Sequence, residues 1–590
     1  MINANIVIID SGLDIIYHDD EVVMGGITLE RNAKAEVVVS SDYIDVLGHG
    51  TAIYNMIKNT CSNSTTFFII RIFNDVFECE QELLLYALEY VHDFINCDFI
   101  HVSSGAIAFN SLKQLDNITR KLYCEKKCII VSAFSNERAI SYPAACDYVI
   151  GVDTSPDVVD YLIVNGSPIN ILASKKSQRL VWLGGKRIIN NGCSFTAAEF
   201  TAKLFNAYSN FGIKNIHSLL EQIKDGVQEV YHEKIDLTSL LNPSYIKKNK
   251  KLRAIAFPFS KEIQVLAANE DMLTVEIINY YDVRESGRVG LAVNDILKYC
   301  NNTKRINNIY EIETIDDYDL IICGHMGQLN KISKVNWTEF IDKIVENKSK
   351  YLYSFDPNPV SHNRRNEIFS PPIITGYNGY TFGKLWRINS PVLGVFGTSS
   401  VQGKFSLQIK LRKALINNGY NIKQLSTEPT GALLGMDYIC PIGYNSSILL
   451  KAPDSVKFYN ELMHLCDIED PDIIVVGCQS ATMLLTSFHE QYFAFTQYEY
   501  LVGTSPDAII LMVNEFDNID YIKRCIAFIE STGTSTVIAC VISPVNNSRE
   551  IINKDSLSLF NEQICYINKP YFKYEQFDEL YSLLINFFSG

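Results

Sequence analysis

An α/β fold built on parallel sheets is the class this sequence predicts, and three observations predict it. Short runs of β-branched and other apolar residues recur along the chain, stretches of helical period separate them, and several end in a glycine turn. Strands that read as near-continuous apolar runs are buried on both faces, which requires helices above and below a parallel sheet. The chain has 590 residues, too many for one hydrophobic core, and at roughly 100 to 200 residues per domain about three domains are expected. Hydrophobic residues at 47% and charged residues at 20% describe a folded chain, not a disordered one.

Taken in order, the run Ile6 to Ile9 leads into Asp10-Ser11-Gly12 and reads as a buried strand delivering Asp10 at its carboxyl end. Phe67 to Phe73, Phe99 to Ser103, Cys128 to Ala133 and Tyr148 to Val152 read as further strands, with Glu80 to Phe94 as a helix between them. From Ile213 the pattern becomes amphipathic helix and then a basic, polar stretch, Asn242 to Lys251, so 213–251 is the expected helical and basic linker after a first domain at 1–212. A second α/β pattern, 252–389, opens at Arg253 to Phe257 and includes Asp319 to Cys323 ahead of Gly324-His325. His325 reads either as part of a ligand-contact loop or as a satisfied turn residue. A third, 390–590, opens at Pro391 to Gly397 and carries strands at Asp472 to Val476, Ala508 to Val513 and Thr536 to Ile542.

The N-terminus carries neither a basic n-region nor an apolar stretch of signal length, and no window approaches the roughly 18 apolar residues of a membrane span. A cytoplasmic protein without a membrane span is expected, its fifteen cysteines mostly reduced and buried. Cys124 and Cys128 lack the second pair or histidine that would complete a zinc set, and no oxygen cage for calcium is legible, so no metal is expected. A formal net charge of -15 argues against a general nucleic-acid partner, which would carry basic surface against phosphates.

Three segments carry chemistry: Asp10-Ser11-Gly12, Gly48-His49-Gly50-Thr51 and Asn191-Gly192-Cys193-Ser194-Phe195-Thr196-Ala197. A serine hydroxyl is a weak nucleophile, so an imidazole must take its proton, and a carboxylate must hold that imidazole in the right tautomer. Ser194, His49 and Asp10 supply the three groups. A fourth segment, Ile129 to Ala133 followed by Phe134-Ser135-Asn136, ends a buried strand at an amide.

In this order along the chain, Asp then His then Ser, the motifs resemble the subtilisin-like (S8) serine peptidases. The resemblance implies a serine endopeptidase domain with Asp10, His49 and Ser194 as catalytic residues and Asn136 as the oxyanion donor. It also implies a substrate-binding region formed by Ser103-Ser104-Gly105 and by Ala133-Phe134, pairing with an extended peptide as an added strand. Departures are visible: Ala198 and Glu199 stand where the family has proline and histidine after the serine motif, Ser135 replaces a glycine, and Phe134 occupies a position usually small. These narrow the expected pocket and point to a processing enzyme for one peptide class, with no inhibitory segment ahead of it.

Gly397-Thr398-Ser399-Ser400-Val401-Gln402-Gly403-Lys404-Phe405-Ser406 follows a strand and feeds a helix, the arrangement whose backbone N–H groups cradle phosphate. Gly397, Thr398, Gly403, Lys404 and Ser406 are the candidate nucleotide-binding residues, for ATP or GTP with magnesium. Phe405 stands where a magnesium-binding hydroxyl is expected, leaving Ser406 or Thr398 to supply one. The loop, with Thr430 to Gly435 and the strand ending at Val476, resembles dethiobiotin-synthetase-like P-loop enzymes; Val476 stands where those relatives tend to have an acid. The middle region is then expected to be Rossmann-like. The joined architecture resembles clostridial-type peptide-maturation proteins, which implies removal of a leader from a precursor peptide, with other maturation enzymes as partners. The rival readings are a non-catalytic peptide-binding scaffold with a nucleotide switch, and a nucleotide-dependent peptide-modifying enzyme. Proteolysis itself needs no cofactor.

Overall fold

The computed structural model describes all residues except 1, 33, 62–63, 137–138, 225–227, 232–235, 242–250, 299, 315–316, 333–334, 349, 358–367, 378–380, 444–445, 486–491, 544–563 and 590. The fold is mixed α/β with several parallel sheets, as the alternation of apolar runs and helical periods predicts. It divides into two compact units, one of Met1–Ile235 with Asn378–Asn389, the other of Asp236–Tyr377 with Ser390–Gly590. Among the described residues no helix is long and apolar enough to cross a membrane.

The first unit is built on a ten-stranded sheet of β1 (Ile6–Asp10), β2 (Val23–Arg31), β3 (Val37–Ser40), β4 (Phe67–Arg71), β5 (Phe99–Val102), β6 (Ile129–Ala133), β7 (Val149–Ser155), β8 (Tyr161–Asn165), β9 (Ile171–Ser174) and β10 (Gln228–Tyr231). Their order is β10-β8-β9-β7-β6-β5-β1-β4-β2-β3, parallel from β9 through β2. All five residues of β1 are buried, with Val7 and Ile9 in the core on one face and Ile6 and Ile8 in the core on the other. The first core is closed by α2 (Gln81–Phe94) and α3 (Leu112–Cys124), the second by α1 (His49–Thr60) and α4 (Cys193–Phe211).

β10 falls within the segment expected to be a linker. Gln228–Tyr231 pairs in parallel with β8, so the first unit continues past residue 212. A four-residue strand with two polar positions has too little alternation to be distinguished from a connection, and only its partner's edge defines it. The basic stretch 242–250 lies outside the described residues.

The second unit holds two all-parallel sheets. The first contains β11 (Arg253–Phe257), β12 (Glu276–Asp282), β13 (Ile306–Asn308), β14 (Leu320–Cys323), β15 (Tyr351–Ser354) and β16 (Ile368–Phe369) in the order β13-β12-β11-β14-β15-β16. That is the doubly wound arrangement, whose switch point falls between β11 and β14. The second sheet contains β17 (Val392–Gly397), β18 (Ile422–Ser426), β19 (Tyr438–Ile439), β20 (Ile473–Gly477), β21 (Ala508–Val513), β22 (Thr536–Ile542) and β23 (Tyr571–Lys573), ordered β19-β18-β20-β17-β21-β22-β23. The two sheets share a core in which Ala254 and Ile277 meet Ile409, Leu433 and Met436.

Candidate functional site

Parallel strands deliver their carboxyl-end residues to one rim of a sheet. Asp10 ends β1, Ser103 follows β5, Phe134 and Asn136 follow β6, and helices α1 and α4 begin at His49 and Cys193. Close approach of α1 to the β1 turn depends on glycine, because a Cβ on Gly50 would meet the carbonyl of Gly12 and the amide of Ser11. Asp45 ties the same corner together. Its carboxylate accepts from the Ser11 hydroxyl at 2.9 Å, from the Gly48 and Thr51 amides at 2.8 and 2.9 Å, and from the Thr51 hydroxyl at 2.7 Å.

This packing brings Asp10, His49 and Ser194 into one hydrogen-bonded chain. His49 Nδ1 lies 2.9 Å from both oxygens of Asp10, and His49 Nε2 lies 2.9 Å from Ser194 Oγ. Asp10 is fully buried and also accepts from the Ser11 amide at 2.6 Å. Burial works against both charges. For His49 it lowers the pKa, but the Asp10 carboxylate outweighs it and holds the imidazole above its ordinary 6.5. For Asp10 it raises the pKa, and the facing His49 with the Ser103 and Ser11 donors brings the carboxyl below its ordinary range. The His49 ring also rests on Phe195, centroids 4.9 Å apart, and meets Phe77 edge-on at 5.7 Å.

The chain opens on a cleft of about 700 Å³. Asn136, Ser103, Ser104, Gly105 and Phe134 line it with His49 and Ser194, and Trp182 and Gly192 complete the wall around the Ser194 turn. Asn136 Oδ1 accepts from the Cys193 amide at 3.2 Å, which commits the oxygen and leaves the Nδ2 donor for the cleft. Of the residues assigned to substrate, Ala133 does not line the cleft; it is a core residue at the end of β6. Ser103 lines it, but its hydroxyl is engaged by His101 at 3.0 Å and by Asp10. The alternation of a central strand, which turns successive side chains to opposite faces, is the reason Ala133 points away while its neighbour Phe134 reaches the cleft rim.

Four residues of this site lie outside the candidate site residues read from the sequence, although His101 opens the segment expected to pair with substrate. Asp45 is one, a buried acid four positions ahead of His49. His101 is another: it is fully buried, bonds Thr201 Oγ1 at 2.8 Å, and is driven by burial down to a pKa of about 4, so it stands neutral behind Asp10. Asp153 and Lys384 pair at 2.9 Å beneath the Asn136 turn. A polar residue inside an apolar strand run is the only trace His101 and Asp153 leave in the sequence; Asp45, in the loop ahead of α1, and Lys384 leave none.

A second cavity, about 360 Å³, belongs to the other unit. Gly403, Lys404 and Ser406 line it from the loop after β17 and the first turn of α5 (Lys404–Asn417), while Lys261 and Glu262 enter from the helix after β11. Gly397 and Thr398 do not line it. Thr398 is turned inward, where its hydroxyl meets Asp517 and accepts from Gln402 Nε2 at 2.7 Å, so it is withdrawn from the magnesium role offered to it and Ser406 alone remains. Lys404 Nζ lies 2.5 Å from the Ser399 carbonyl, and burial lowers its pKa. Glu428 faces the same cavity with its pKa raised by burial, an acid after β18 in a region where Val476 left the expected place apolar. His325 is satisfied by Asp356, 2.7 Å from Nδ1. All fifteen cysteines are free, with Cys124 exposed and Cys128 buried against Cys97 at 3.3 Å. Among the described residues no group of three His, Cys, Asp or Glu is placed to hold a metal.

The class thus defined is a two-unit α/β chain with an Asp–His–Ser hydrogen-bonded chain on one sheet and a P-loop on another. Residues 380–556 match the family described as "Domain of unknown function (DUF1611_C) P-loop domain". Among solved structures, a DUF1611 family protein from Anabaena variabilis is 13% identical and aligns over 57% of this chain and 100% of its own, with a TM-score of 0.42. The nisin leader peptidase NisP from Lactococcus lactis is 15% identical over 39% of this chain and 86% of its own, TM-score 0.30. The epidermin leader peptide processing serine protease EpiP from Staphylococcus aureus is 14% identical over 38% and 68%, TM-score 0.28. No curated protein matches the sequence.

Proposed function

We propose that the first unit is a serine endopeptidase of the subtilisin-like kind that cleaves a peptide precursor, with leader removal as its task. The observation that carries this reading is the unbroken Asp10–His49–Ser194 chain opening on a cleft large enough for an extended peptide. Ser194 Oγ attacks the peptide carbonyl as its proton passes to His49 Nε2. Asp10 keeps the imidazole proton on Nδ1 and balances the imidazolium that forms. The oxyanion is met by Asn136 Nδ2 and by the backbone N–H of Ser194 at the start of α4. His49 then returns its proton to the leaving amine, and water releases the acyl group by the same path in reverse.

The test needs no knowledge of the substrate. A fluorophosphonate probe is expected to modify the protein at Ser194 and to leave Ser194→Ala unlabelled, both proteins having the same circular dichroism spectrum. Equal labelling of the two would sink the proposal. A second expectation concerns pH. Attack requires neutral His49, and Asp10 raises the pH at which the imidazole loses its proton, so the labelling rate rises with pH with a midpoint above 6.5. A rate that is flat or falls across that range would contradict the assignment of His49 as base.

For the second unit the cavity beside Lys404 supports nucleotide binding, with ATP or GTP as the ligand and Ser406 as the hydroxyl toward magnesium. Isothermal titration with ATP and GTP, compared with Lys404→Ala, tests it, and unchanged heats in the variant would remove it.

A further inference from the structure

The wall behind the Asn136 turn is completed by a segment far away in sequence. Of Asn378–Asn389, the described residues 381–389 pack within the first unit, although the residues on both sides of the segment belong to the second. Its seat is specific. Leu385 bridges Ala139 in parallel and accepts from the Ile140 amide at 3.0 Å, and Trp386 enters the core beside Tyr142, ring centroids 6.1 Å apart. These contacts carry Lys384 inward, where it is 13% exposed against an Asp153 side chain that is 4% exposed.

From there a closed ring of contacts runs through the site. Lys384 Nζ pairs with Asp153 at 2.9 Å and donates to the Ser135 carbonyl at 3.2 Å. The next residue, Asn136, accepts from the Cys193 amide at 3.2 Å, and Cys193 Sγ donates back to Asp153 at 3.2 Å. Burial and the Asp153 charge push the Cys193 thiol up to about 11, so it stays protonated and remains a donor. Lys384 also stands over the Phe134 ring at 5.3 Å. The ring thus fixes both peptide segments that the peptidase reading requires: the turn presenting the Asn136 amide and the turn presenting Ser194.

We propose that Lys384 is a positioning residue for the oxyanion site, supplied in cis by a strap from outside the first 235 residues, so that the peptidase unit is completed only when that strap is seated. The inference rests on the peptidase reading and adds to it a lysine that touches no substrate. A misplacement of about 1 Å at such a donor costs about a hundredfold in rate, and that is the effect expected of losing Lys384.

The experiment uses the full chain and compares Lys384→Met, Lys384→Arg and the double variant Lys384→Met/Asp153→Asn. Fluorophosphonate labelling rate, thermal midpoint, and amide hydrogen exchange of Ser135 and Cys193 are read for each. Lys384→Met is expected to label about a hundredfold more slowly, with faster exchange at those two amides. Lys384→Arg keeps a cation and N–H donors at the same station and is expected to recover most of the rate. The double variant removes the carboxylate left unpaired in the single one, so its thermal midpoint recovers while its labelling stays slow, because the Lys384 donor to the Ser135 carbonyl is still missing. Wild-type labelling by the double variant would overturn the proposal and leave Lys384 as a structural counter-ion. If the wild-type protein itself is not labelled, the peptidase reading fails separately. Amide exchange then decides the strap: faster exchange at Ser135 and Cys193 in the double variant supports it, and unchanged exchange overturns it.

Discussion

Asp10→Asn is expected to slow fluorophosphonate labelling by about ten-thousandfold while leaving the fold in place. The side chains are nearly isosteric, so the fully buried pocket at the end of β1 stays filled. What changes is the proton inventory. Both Asp10 oxygens accept around His49 Nδ1, one at 2.9 Å and the other also at 2.9 Å. An amide nitrogen placed there donates instead, which favours the imidazole tautomer with its proton on Nε2. That proton then points at Ser194 Oγ, and the base has no lone pair to offer. A loss smaller than about tenfold would mean that Asp10 does not set the tautomer.

The same variant carries a stability signature. The lowered pKa of Asp10 means its charge stabilises the fold above the ordinary carboxylate range and ceases to as pH falls through the folded value. The raised pKa of His49 means its charge stabilises below the ordinary imidazole value and ceases to as pH rises through the folded one. The gap in thermal midpoint between wild type and Asp10→Asn is therefore widest between these two limits and narrows on either side. Reactivity, which needs neutral His49, grows on the alkaline side, where the stabilisation is lost as pH rises through the folded imidazole value.

Asn136→Ala is the second large effect, a loss of about a hundredfold to a thousandfold in labelling rate. The Nδ2 donor is removed from the site where negative charge develops. Because the alanine also strips the Cys193 amide of its acceptor, Asn136→Asp is the informative companion. Aspartate keeps an acceptor for Cys193 but brings a charge of the wrong sign to the cleft. Both variants are expected to be slow. Recovery of the rate by Asn136→Asp would show that the residue acts by holding the Cys193 turn and not by donating to the oxyanion.

Much of the fold was legible because burial on both faces leaves an unmistakable trace. A five-residue strand such as Ile6–Asp10 has no polar position until its last residue, and the six residues of Ala508–Val513 have none. Asp10, His49, Asn136 and Ser194 were legible for a related reason: each stands where an element starts or stops, beside a glycine or in a turn. The supporting groups were not. His101 sits inside β5, Asp153 inside β7, and Lys384 in a segment with no periodicity, and their meaning depends on which strands are neighbours. Strand order is set by long-range packing, so Lys384 and Ser135, 249 positions apart, show nothing in common until the chain is folded. Thr398 failed for the opposite reason. Its place in a glycine-rich loop suggested a ligand, but Asp517 from the loop after β21 competes for the hydroxyl and wins it.

The strap also has a consequence for the order in which the protein is made. A ribosome releases the chain from its N-terminus, and the first unit's own contiguous part ends at Ile235, whereas its last piece ends at Asn389. At about 5 to 20 residues per second, the roughly 150 residues between them take of the order of ten to thirty seconds to emerge. During that interval the nascent first unit has its sheet, its serine and its histidine, but no cation beneath Asp153. A nascent chain arrested before Lys384 and one released to Asn389 would therefore differ in maturity despite sharing every residue of the Asp–His–Ser chain.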